Sequence, residues 1–195
     1  MGAAGPLIML SFVTPFALAY VATTLLAGAV GHAARLGSFH DLIREHAIIP
    51  PRGAPLAALL TLLAEPVGGT AAIVLLLRQS DAAATLLLFA ATGGLGVGFH
   101  LYIRRLLGQP HTTSGCGCTP LSSPLTPASL LPSAALVMVS AAGLATALVS
   151  DWTPVAAPGS GGSLSLLAPL WGMTVAVLVM LAPASMPSAP IDSGR

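Results

Sequence analysis

The sequence predicts an all-α membrane protein, a four-helix transmembrane core followed by a fifth, C-terminal helix. Three observations predict it. Of 195 residues, 55% are hydrophobic and only 7% are charged, whereas a soluble domain carries roughly a quarter charged residues. Mean hydropathy is +0.89, so the bilayer matches this surface better than water does. The apolar residues also fall into five runs, each near the ~20 residues a helix needs to cross about 30 Å of hydrocarbon with its backbone amides satisfied internally.

The first run, Pro6 to Gly31, has no positively charged region before it and outlasts a secretory signal, so it reads as a retained membrane helix. The pattern changes between His32 and Gly53. There Leu36, Phe39, Ile43, Ala47 and Ile48 recur at helical spacing among Arg35, Asp41, Arg44 and Glu45. This predicts an amphipathic linker lying at the interface, apolar face down, and ended by Pro50 and Pro51.

The second and third runs, Ala54 to Leu77 and Ala82 to Leu107, are separated by Arg78, Gln79, Ser80 and Asp81. So short a connection predicts an antiparallel hairpin of spatial neighbours. Gly94 and Gly98, with Gly93 and Gly96 beside them, predict a flat strip for close helix packing. They follow no strand, so a phosphate-binding loop is not expected.

A cysteine-bearing loop, Gly108 to Pro127, leads to the fourth run, Ala128 to Val149. The bundle thus occupies residues 1–150. Residues 151–182 form a polar linker, with Gly159, Ser160, Gly161 and Gly162, and the extra helix Leu164 to Ala182. The Pro-rich end, 183–195, predicts a disordered tail.

Net charge is +1, and all seven basic side chains are arginines spread thinly along the chain. This excludes the basic footprint of a nucleic-acid binder. With five spans, Arg35, Arg44, Arg52, Arg104, Arg105 and Arg195 fall on one side and Arg78 on the other. The first side is expected to be cytoplasmic and the N-terminus outside. That places the cysteine loop in the cytoplasm, in tension with a role in making disulfides outside the cell.

Cys116-Gly117-Cys118 is the sharpest local feature. Gly117 allows the turn that brings the thiols together, and a disulfide in so small a ring is strained and readily exchanged. Two alternatives stay open: incidental thiols in a flexible loop, or a metal site completed by His111, for which three ligands are a weak set.

Glu65 lies in the middle of the second run, where a carboxylate must face a partner or a wet cavity. It reads either as a proton-transfer group or as a structural hydrogen-bond partner between helices. Pro66, Gly68 and Gly69 predict a kink beside it. His100 and Arg104 share a helix face and point towards the cysteine loop, where positive charge favours thiolate. Their structural readings are a bond to a neighbouring helix for His100 and snorkelling at the boundary for Arg104 and Arg105. His32, His40 and His46, along the linker, read as solvated or headgroup contacts, and no metal site is expected.

Together and in this order, these residues resemble the MauE family of methylamine-utilisation membrane proteins and the wider MauE/DoxX group of redox-associated membrane proteins. The resemblance spans roughly residues 17 to 150. It rests on the run Phe39 to Ile49 closed by Pro50, on Glu65 with Gly68 or Gly69, on the Arg105-Leu-Leu-Gly108 run, and on Cys116-Gly117-Cys118. The family usually continues its C-G-C with Phe-Gly, whereas this chain has Thr119-Pro120, and the fifth helix lies outside the family core.

The resemblance implies a membrane factor that helps mature the disulfide-rich small subunit of methylamine dehydrogenase, by supporting thiol oxidation or transport. The leading expectation is therefore a multi-pass cell-membrane protein acting as a thiol–disulfide oxidoreductase. Cys116 and Cys118 would exchange with a thioredoxin-like protein or a secreted client. Glu65 and His100 would handle protons, and a membrane quinone could accept electrons. The rival is a non-catalytic assembly or transport partner with incidental cysteines. A transporter is weaker, since no internal repeat with paired broken helices occurs.

Overall fold

The computed structural model describes residues 4–78, 81–109, 125–149 and 164–185. Among the described residues, six α-helices form: α1 Ala4–Ala33, α2 Leu36–Glu45, α3 Ala54–Arg78, α4 Ala82–Leu107, α5 Leu131–Val149 and α6 Leu164–Ser185. A 3₁₀ turn, Pro127–Leu130, leads into α5. The described residues contain no strand. Among the described residues, four helices are long and apolar enough to cross a membrane, and α6 carries a shorter apolar stretch, Leu167–Ala182. The protein is a multi-pass membrane protein.

Helix α1 is the centre of the bundle. Its spanning window is 56% buried, against 17% for α3 and 22% for α4. Six consecutive side chains, Ala17 to Ala22, are all buried, so every face of this helix meets protein. The most extensive packing is of α1 on α6 and on α3, and of α4 on α5. The outer faces of α3 carry Leu56, Leu59, Leu60, Leu63 and Val67 in exposed positions, which suits lipid. In a bilayer, helices associate through small residues and interhelical polar bonds rather than through burial of leucine.

The packing shows that pattern. Along α1 and α3, Gly28 meets Glu65, Leu25 meets Gly68 and Leu26 meets Gly69, an antiparallel register. Along α4 and α5, Gly96 faces Val137 and Gly143 faces Phe89. Thr92 and Ser140 hydroxyls lie 3.0 Å apart in the same seam, which is antiparallel as well. At Gly172 of α6 an added Cβ would strike the backbone carbonyl of Phe16, so the two helices touch main chain to side.

Two expectations are corrected here. Helices α3 and α4 are in contact, but far less extensively than α3 is with α1 or α4 with α5, although only residues 79–81 join them. Their main partners are α1 and α5, and a cavity lined by α2, α3 and α4 opens beside their contact. Gly94 and Gly98 are not a packing strip, because a Cβ on either would meet nothing within 4 Å. Gly93 and Gly96 make the contact with α5 instead. Helix α3 continues through Pro66, and Gly68 and Gly69 allow the close approach of Leu25 and Leu26.

The amphipathic segment forms α2, but its apolar face meets protein. Phe39 and Ile43 bury against Ala54 and Ala58 of α3, with Ile49 and Leu62 alongside. Asp41, Arg44 and Glu45 face outward. Ala47 follows at φ 51°, a left-handed conformation that L-residues other than Gly seldom adopt. It turns the chain into the strap Ile48-Ile49-Pro50.

Candidate functional site

The local logic starts at Glu65. A carboxyl at this depth in lipid needs a polar partner, and the fold supplies one from the end of α1. His32 Nδ1 lies 2.7 Å from a Glu65 carboxylate oxygen, with both side chains only 4% exposed. Gly28, one turn before His32, makes the approach possible. A Cβ there would sit 3.0 Å from Glu65 Oε1, so the carboxylate rests against bare α1 backbone. On the other side the His32 ring lies against Phe39, with centroids 4.2 Å apart.

A second polar pair stands close by. His46 Nδ1 and the Tyr102 hydroxyl lie 2.6 Å apart, joining the end of α2 to α4. His46 is 2% exposed, and its Nε2 is buried without a hydrogen-bond partner. Burial holds its imidazole pKa below the ordinary 6.5, with the neighbouring Glu45 carboxylate pulling the other way.

Between α2, α3 and α4 lies an apolar cavity of about 290 Å³, whose walls include His32, Phe39, Gly94, Gly98, Phe99 and Tyr102. It adjoins a wider groove of about 690 Å³ that shares Ile49, Gly98 and Tyr102 and is bordered by Arg104 and Arg105. The glycines absent from helix packing therefore shape this space.

The structure brings some expected residues together and separates others. Glu65 is buried and paired with His32 of α1. His100 Nδ1 lies 3.3 Å from Ser133 Oγ, tying α4 to α5. Arg104 and Arg105 are exposed near the end of α4. Cys116, Cys118 and His111 lie outside the described residues, as does the tail from 186 onward.

The reading of the linker histidines as solvated is corrected for two of them. His32 belongs to α1 and is buried, and His46 is buried against α4. His40 is partly exposed, 3.4 Å from Asp41. Sequence reasoning missed His32 as the partner of Glu65. The available signal was Gly28 one turn earlier on the same face, a combination that leaves room for an incoming side chain. Among the described residues, no three His, Cys, Asp or Glu side chains gather as a metal site.

A scan against family models matches residues 9–148 to "Methylamine utilisation protein MauE". No curated protein and no solved structure matches significantly. The match covers α1 to α5 almost entirely and takes in Glu65, His32, both cysteines and the cavity walls, leaving only α6 and the tail beyond it. The chain belongs to the MauE family of methylamine utilisation proteins.

Proposed function

We propose that this protein resides in the cell membrane and supports disulfide formation in a client, with Cys116 and Cys118 alternating between disulfide and dithiol. A client thiolate attacks one sulfur of the pair, giving a mixed disulfide. A second client thiolate resolves it, so the client leaves oxidised and this chain keeps two thiols. The client would be a disulfide-rich exported protein, as the methylamine dehydrogenase small subunit is, or a thioredoxin-like carrier acting on it.

The observation that supports this reading most is the buried His32–Glu65 pair at 2.7 Å. Each disulfide cycle moves two protons as well as two electrons. A proton-exchanging couple kept inside a lipid-embedded bundle suits that need, since such groups are costly there unless they serve a function. It borders the cavity that runs along α4, the helix that leads into the cysteine segment. The test is client oxidation in cells carrying Cys116→Ser. The client should accumulate reduced, and an unchanged oxidised fraction would overturn the proposal.

A second reading draws on the polar bonds themselves. His32–Glu65, His46–Tyr102 and His100–Ser133 each join two helices, as an assembly scaffold would require. On that reading, replacing both cysteines by serine leaves client maturation intact.

A further inference from the structure

We infer that the cavity between α2, α3 and α4 binds the ring of a membrane quinone. The inference rests on the thiol–disulfide reading for its electron source and goes beyond it in naming the acceptor and its site.

The walls are apolar and partly aromatic, with Phe39, Phe99 and Tyr102 among them, as a flat ring requires. A volume of about 290 Å³ lies at the small end of ligand pockets, roughly 300–1,000 Å³, and fits one substituted ring rather than a whole lipid. An acyl chain would gain nothing from polar groups in its wall. Here the wall holds His32, backed by Glu65, and Tyr102, backed by His46. These side chains can hydrogen-bond the carbonyl oxygens of a neutral ring. The adjoining groove, bordered by Ile48, Ile49, Pro50 and Leu101, gives an isoprenoid tail an apolar way out.

The reaction balances. Two S–H bonds of Cys116 and Cys118 break and one S–S bond forms. The two electrons reduce the quinone, and two protons end on its carbonyl oxygens to give the quinol. His32 and Tyr102 are the wall groups able to pass those protons, with Glu65 and His46 behind them.

The fold offers a clean test, because a side chain at Gly98 would project into open space rather than into a neighbouring helix. Gly98→Leu should fill the cavity and leave the bundle standing, which an unchanged melting temperature checks. Ubiquinone-1 binding is measured on the full-length protein in phospholipid nanodiscs, for wild type, Gly98→Leu, and Cys116→Ser with Cys118→Ser. Saturable binding is expected in wild type and in the double serine variant, weakened by about tenfold or more in Gly98→Leu and not displaced by excess oleate.

Absence of saturable binding, unchanged binding in folded Gly98→Leu, or displacement by oleate overturns the inference. The two proposals fail separately. Normal client oxidation in a Gly98→Leu protein that has lost ubiquinone-1 sinks the quinone site alone. Intact binding with no quinol formed when dithiol is supplied upholds the site and sinks the thiol–disulfide reading.

Discussion

Glu65 ties the middle of α3 to the end of α1 through His32. An acid in the middle of an apolar run must find a partner, and its inward position was legible from that alone. Its partner was not, because nothing in the linear order says that the end of α1 comes back against the middle of α3. Glu65→Ala leaves the His32 ring nitrogen buried without its partner, and an unsatisfied buried polar group of this kind costs roughly 1–3 kcal/mol. A large drop in melting temperature in detergent is expected. Gly28→Ala should mimic it in milder form, since the new Cβ would press on a carboxylate with 3.0 Å to spare, and Gly28→Ala combined with Glu65→Ala should be less than additive.

His46 gives a pH dependence. Its pKa is held below 6.5 by burial, so the unfolded chain takes up the proton first as pH falls. The stability from neutral His46 is complete above about pH 6.5 and declines as the pH drops towards the folded value. Thermal unfolding between pH 8 and pH 5 should show this decline, and His46→Phe should flatten it.

At the scale of the element, the five long helices were legible because apolar length is a strong signal. Which helices touch was not. Short connections argue for neighbours, yet α3 and α4 meet over a small area beside a cavity that α2 helps to line, and the buried Phe39 and Ile43 of α2 had been marked for lipid by the alternation of charge and apolar residues. The same event explains the glycines. Gly94 and Gly98 looked like a packing surface, and become a cavity wall because no helix arrives there. Ala47, at φ 51°, lies in a region that costs an L-residue roughly 1–2 kcal/mol. Ala47→Gly should therefore raise stability by up to about 1 kcal/mol, read as a higher melting temperature, since glycine's greater freedom in the unfolded chain offsets part of the relief. A lower one would mean that the turn before Ile48 is held for another reason.

For the whole molecule, α1 is the post on which the bundle is built, and α6 is part of that core rather than an appendage. It lies outside the family match at 9–148, yet packs on α1 as extensively as α3 does. Gly172→Val would force a side chain onto the Phe16 carbonyl, and a loss of folded, monodisperse protein is expected on size-exclusion chromatography. The membrane character and the family were legible in composition and motif order. The cavity was not, because it exists only where three helices fail to meet.

The proposed redox pairing of Cys116 and Cys118 is read out by trapping thiols in intact and permeabilised cells with a mass-tagged maleimide, before and after reduction. Both cysteines should resist the tag until reductant is added, and Cys118→Ser should yield a mixed disulfide with a client or carrier. Two freely tagged thiols without reductant, on either side of the membrane, would contradict it.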